Sequence, residues 1–285
     1  MQLTKIKFSM QSILVKKSLR SSEKFRGLLN YPKWLLNKDK YESVFFYTFH
    51  KCASSLFSGY VLRNIEGLRN IDYASRLYQG REPKTIKFEK YGYIYGPIRL
   101  SADPSSIVYQ QLVQPLLDKD LMKDKKIIFM IRDPRDILVS KYYSDGFSHG
   151  LSPSWENRQR QLNRREKVKN MTVDEYVLEL AQNIKWGFDK MHELYQSCPK
   201  NKILKYEDMI YRWNLFAEDF TEVVSVKKKI LTQIYNKSRP SKSDNKWSHL
   251  RSGIARDFER KLKKDTVRYL NEYLKPVLET FDYDV

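Results

Sequence analysis

The chain has 285 residues, of which 41% are hydrophobic and 14% aromatic. That supply of core-forming side chains excludes a disordered chain and allows one large α/β domain or two small ones. A formal charge of +19 gives a surface that repels cations and suits anionic partners: nucleic acid, an acidic membrane, an acidic cofactor or an acidic acceptor.

The N-terminal stretch MQLTKIKFSMQSILVKKSLR is basic and mildly amphipathic, and residues 1–40 read as a basic, helical extension to a domain over 41–285. Lys and Gln interrupt its apolar residues, so it lacks a signal-peptide core, and no run of about 18 apolar residues exists to span a membrane. A cytoplasmic location is the expectation. Two cysteines, Cys52 and Cys198, are too few for a disulfide framework, and four scattered histidines form no metal-ligand pattern.

Three short apolar runs read as buried parallel strands that end in polar clusters. Residues 43–49 (SVFFYTF) lead into HKCASS, residues 126–131 (KIIFMI) into RDPRD, and residues 202–204 (KIL) into KYED. A fourth strand lies within 85–95 (TIKFEKYGYIY). The helices fall between them. Residues 55–68 place apolar side chains on one helical face, and 106–117 form a second helix. Pro134 opens a helix through 144. The T-V-D-E of 172–175 is a capping box for a helix to about 196, and a last helix covers 265–280, with Pro276 inside it. Alternating strands and helices predict a three-layer α/β fold, a parallel β-sheet flanked by helices, whose ligands bind at the carboxyl edge of the strands. A mobile segment is expected near 148–170. It contains the basic run RQRQLNRREKVK, from Arg158 to Lys169, which is either a solvated face or a binding surface.

The strand–loop–helix at 45–68 has the layout of a phosphate-binding loop, with Lys51 as a point charge and Ser54 and Ser55 as hydroxyl donors. It is not the G-x-x-x-x-G-K-[ST] pattern, since the Lys precedes the small residues. Arg132 leaves the sheet edge with a fork suited to phosphate, and Ser140 follows about two helical turns later. A local ion-pair network of Arg132 with the neighbouring aspartates is the alternative.

Four segments together resemble the family of sulfotransferases that use 3′-phosphoadenosine-5′-phosphosulfate (PAPS). YTFHKCASSL (47–56) is similar to the family's T-Y-P-K-S-G-T-T-W loop for the 5′-phosphosulfate. IRDPRDILVSKYY (131–143) is similar to its 3′-phosphate motif. The Y-E-D of 206–208 matches a motif whose Tyr meets adenine, and RSGIARDF (251–258) is a degenerate R-K-G-x-x-G-D-W. The resemblance implies a P-loop NTPase-like sulfotransferase fold and metal-independent, in-line transfer of a sulfuryl group to a hydroxyl or amine, leaving 3′-phosphoadenosine 5′-phosphate (PAP). Lys51 would be catalytic, and Lys51, Cys52, Ala53, Ser54, Ser55 and Leu56 would hold the 5′ end. Arg132, Ser140, Arg251, Ser252 and Gly253 would hold the 3′-phosphate, and Tyr206 the adenine.

Cys52, Ala53 and Leu56 replace the family's Ser, Gly and Trp, Ser252 replaces Lys, and Arg256 replaces the second Gly. The family's basic His has no counterpart. Tyr95 stands at the nearest local match, and His50, Asp72, Glu66 and Glu89 are substitutes, so the base stays open. Cys52, beside Lys51 at a helix start, is either a reactive thiol or an inert buried one. A P-loop kinase using ATP and a non-enzymatic basic module are the competing functions. The acceptor, a small molecule, lipid or carbohydrate, is expected in loops near 68–81 and 147–170. Nucleic acid is not an expected partner, whereas peripheral contact with an anionic membrane fits the charge.

Overall fold

The structure, a computed structural model, describes residues 34–79, 86–101, 104–240 and 253–285. In chain order it runs β1 Val44–Thr48, α1 Ser54–Leu56, β2 Arg69–Ile71, α2 Tyr73–Tyr78, β3 Tyr93–Arg99, α3 Lys119–Met122, β4 Lys126–Ile131 and α4 Pro134–Tyr143. It continues with α5 Trp155–Lys169, α6 Val173–Ser197, β5 Asn201–Lys205, α7 Tyr206–Tyr211, α8 Trp213–Val223, α9 Lys228–Ser238, α10 Asp257–Lys261 and α11 Lys264–Thr280. The five strands form one parallel sheet in the order β2-β3-β1-β4-β5. The chain leaves β1 toward one side of the sheet and β4 toward the other. The carboxyl ends of these two neighbours therefore flank the crevice where such sheets bind ligands.

All five residues of β1 are buried, as a strand covered on both faces must be. Phe46 points to one side, stacking on Phe57 at 4.7 Å, with Phe57 edge-on to Phe220 of α8 at 6.2 Å. Phe45 and Tyr47 point to the other side, where Tyr47 packs on Phe129 and donates its hydroxyl to the Leu116 carbonyl. Just past β1, Phe49 stacks on Phe188 of α6 at 4.3 Å. Buried rings of this size contribute roughly 1.5–3 kcal/mol each.

β3 lies later than the predicted 85–95, running from Tyr93 to Arg99. Gly96-Pro97 lies inside it, where proline removes a ladder donor. The strand absorbs this with an irregularity: Phe45 pairs with Tyr95, but Tyr47 pairs with Ile98, so β3 carries one extra residue. Gly96 has φ +139°, and a Cβ there would come within 2.6 Å of the Phe46 carbonyl.

The predicted helix 55–68 is shorter and irregular: α1 widens into a π turn at Phe57–Val61 and tightens into a 3-10 turn at Leu62–Asn64. Where 106–117 was expected to be one helix, the chain makes a π turn at Tyr109–Val113 and a 3-10 turn at Pro115–Leu117. α6 begins with the predicted capping box, Thr172 Oγ1 accepting from the Glu175 N–H at 3.2 Å and Glu175 Oε2 from the Thr172 N–H at 2.7 Å. The segment read as mobile is instead mostly α5. Its Arg, Gln, Leu, Glu and Lys are good helix formers, and its own Val168 is buried. Polar contacts dock it, including Asn157 to the Tyr78 carbonyl at 3.0 Å and Arg164 to Asp145 at 2.7 Å. Residues 1–33 of the predicted extension lie outside the described residues. No helix among the described residues is long and apolar enough to cross a membrane.

Candidate active site

A cleft of about 1510 Å³ opens at the carboxyl ends of β1, β3 and β4. Its floor is the turn after β1. Lys51 and Ala53 both adopt left-handed backbone, at φ +72° and +53°. L-residues reach that region at a cost of roughly 1–2 kcal/mol, so the surrounding structure imposes the turn. The first helical carbonyl is that of Ala53, which accepts from the amides of Leu56 and Phe57. The amides of Ser54 and Ser55 therefore lie ahead of the first intrahelical bond, and both side chains line the cleft.

Arg132 joins three segments around this turn. Its guanidinium donates to the Lys51 carbonyl at 3.3 Å, to Asp136 at 3.3 Å and to the Ile254 carbonyl at 2.9 Å. It also lies 4.5 Å above the Tyr206 ring. Tyr206 in turn donates its hydroxyl to the Gly253 carbonyl at 2.7 Å. Asp136 accepts from the Arg256 and Phe258 amides at 2.9 and 3.0 Å, which fastens the start of α10. Burial raises the Asp136 carboxyl above its usual range, with Arg132 opposing the rise. Arg132 is 5% exposed, and its Nε finds no hydrogen-bond partner among the described residues. An anion in the cleft is the ligand such a donor suits.

A model of the sulfotransferase domain family matches residues 43–282. The chain belongs to this family. Sulfuryl transfer from PAPS follows, and neither the kinase nor the basic-module reading is favoured. Mouse sulfotransferase SULT7A1 in complex with PAP is similar in fold, at TM-score 0.51 and 15% identity over 87% of this chain and 89% of that one. Retinol dehydratase in complex with retinol and PAP aligns over 85% of this chain and 82% of that one, at TM-score 0.39 and 14% identity. No curated protein matches the sequence.

Of the predicted sulfotransferase site, Lys51, Ala53, Ser54, Ser55, Leu56, Arg132, Ser140, Tyr206 and Gly253 all line the one cleft. Arg251 and Ser252 lie outside the described residues. In the RDPRD cluster the ion-pair network is present: Arg132 pairs with Asp136 at 3.3 Å while lining the cleft, and Arg135 pairs with Asp133 at 2.8 Å away from the cleft. Arg256, where the family has Gly, sits at φ +58°, a backbone that glycine adopts freely. Cys52 is 0% exposed and does not line the cleft. Burial pushes its thiol up to about 12, which favours the inert reading of this cysteine over the reactive one.

Among the base candidates, Tyr95 is corrected to a structural residue. It is 1% exposed in a cluster with Phe45, Tyr73, Phe88 and Tyr93, and its hydroxyl accepts from the Glu89 amide at 2.6 Å. Burial drives its hydroxyl still further above the ordinary tyrosine range. Glu66 and Glu89 also lie off the cleft, Glu66 facing Lys227 at 3.6 Å. His50 and Asp72 line it. Asp72 caps α2, accepting from the Ser75 N–H at 2.8 Å. His50 approaches Ser101 Oγ at 2.9 Å through both its backbone N–H and its Nδ1. Desolvation, then Lys141, Arg99, His149 and Lys51, hold its imidazole well below the usual histidine range. Arg99 and Ser101 were missed in the sequence because β3 was ended too early.

Proposed function

We propose that this chain moves the sulfuryl group of PAPS in line to an acceptor hydroxyl in the cleft, with His50 as general base. The observation that carries the reading is that His50, Lys51, Ser54, Ser55, Arg132 and Ser140 face one space although they arise from two strand ends. PAPS supplies an activated sulfuryl group and a good leaving phosphate. Lys51 and the amides and hydroxyls of Ser54 and Ser55 bind its 5′ end, where negative charge grows in the transition state. Arg132 and Ser140 bind the 3′-phosphate, and Tyr206 borders the adenine.

In the tautomer in which Nδ1–H donates to Ser101 Oγ, Nε2 keeps the lone pair that takes the acceptor's proton. Burial, and after it the charges around His50, keep it neutral near pH 7, the form a base needs. An anionic nucleotide in the same cleft offsets their repulsion and raises the proton affinity of the imidazole as the donor binds.

The test is transfer of labelled sulfuryl from PAPS across an acceptor panel. Lys51→Ala is expected to lower turnover by about two to three orders of magnitude. Equal turnover of wild type and variant would remove Lys51 from the chemistry.

A further inference from the structure

The cleft, at about 1510 Å³, exceeds the roughly 300–1,000 Å³ of an ordinary small-ligand pocket, and the part of its lining drawn from the end of β3, α4 and α5 is cationic. Arg99 enters it from the end of β3, Lys141 from α4, and Arg160, Arg164, Arg165 and Lys167 from α5. Three carboxylates face them, all engaged. Asp145 accepts from Arg164 at 2.7 Å, from Lys141 at 3.3 Å and from the Tyr176 hydroxyl at 2.6 Å. Glu179 pairs with Lys167 at 2.6 Å, and Asp72 accepts from the Ser75 amide. Positive charge therefore stays in excess.

Two further observations point the same way. Arg165 donates one terminal N–H to the His149 carbonyl, yet its buried Nε meets no acceptor among the described residues. An anionic oxygen would supply the acceptor that this buried donor lacks. Lys141, Arg99 and His149 each oppose protonation of His50, so their field reaches the place of the reaction. An apolar acceptor such as a sterol would strip water from these charges and return nothing. Tyr78, Tyr143 and Trp186 also line the cleft and offer rings on which a sugar can lie.

We infer that the acceptor is an acidic saccharide, carrying carboxylate or sulfate-ester groups, that sets a free hydroxyl at His50 and its acidic groups against α5. This rests on the reading that the β1 turn holds the donor. It also accounts for the basic run from Arg158 to Lys169, which becomes the acceptor wall of the cleft.

Calorimetry on the PAP-saturated protein tests it with two probes, a tetrasaccharide of alternating uronic acid and N-acetylhexosamine and its carboxyl-reduced, neutral counterpart. The acidic chain is expected to bind about tenfold more tightly or better, with the advantage shrinking as salt rises. Arg160→Ala, on the exposed side of α5, and Arg165→Gln should each cut acidic-chain affinity by about fivefold. Both should leave neutral-chain and PAP affinities unchanged, the latter showing that the variants fold. Equal affinity for the two saccharides, or binding of neither while PAP binds, overturns the inference. Failure of PAP itself to bind wild-type protein would instead bring down the donor reading, and this inference with it.

Discussion

Arg132 ties the turn after β1 to the segment before α10 and also lines the cleft, and replacing it with methionine tests both roles. The guanidinium is 5% exposed, and its partner Asp136 is 1% exposed. Removing one member of a buried pair leaves an uncompensated charge, typically at a cost of about 3–5 kcal/mol. Asp136 keeps the Arg256 and Phe258 amides, which places the loss near the lower end, about 3 kcal/mol. The urea midpoint should fall by about 1 M or more. PAP affinity should fall by roughly ten- to hundredfold, the value of one charge-assisted contact. Arg135→Met is the control. Arg135 is 2% exposed and paired with Asp133 at 2.8 Å, but it lies off the cleft. It should lose comparable stability while PAP affinity measured by calorimetry stays unchanged. If Arg132→Met bound PAP as tightly as Arg135→Met does, the assignment of Arg132 to the nucleotide site would be refuted.

Three other outcomes are open to direct measurement. His50→Gln is expected to lower kcat by about two to four orders of magnitude and to erase the acidic limb of the pH profile of kcat/KM, which in wild type lies below the ordinary histidine value of 6.5. The same residue makes stability depend on pH. The unfolded chain takes up the proton first, so the contribution is complete above about pH 6.5 and drains as pH falls below it; a stability curve that is flat there and identical in the Gln variant would contradict the burial argument. Cys52, with its thiol raised from 9.0 to about 12, should hold about a thousandfold less thiolate at pH 8 than an exposed cysteine and should alkylate correspondingly slowly.

The sheet was legible where strands were buried on both faces. KIIFMI at 126–131 carries the continuous apolar run such strands need, and β4 occupies those positions. The loops after β1 and β4 followed from the strand-edge rule, which is why Lys51 and Arg132 were placed in one site. β3 misled for a physical reason: Gly96-Pro97 looks like a strand end, whereas a one-residue irregularity carries the strand on to Arg99. That displacement hid Arg99 and Ser101 and drew attention to Tyr95 as a base. α5 carries little apolar periodicity, since its docking depends on Asn157, Gln161 and Arg164 and not on a hydrophobic face. Helix-forming composition was the signal available there, and the density of charge masked it. The fate of Cys52 depended on a turn geometry with two left-handed residues that no local pattern displays.

One doubly phosphorylated adenosine is expected between the ends of β1 and β4. A crystal structure of the full chain with PAP tests this most directly. The 5′-phosphate is expected against Lys51, Ser54 and Ser55, and the 3′-phosphate against Arg132 and Ser140. Nucleotide bound elsewhere, with those side chains arranged as they are without it, would contradict the account.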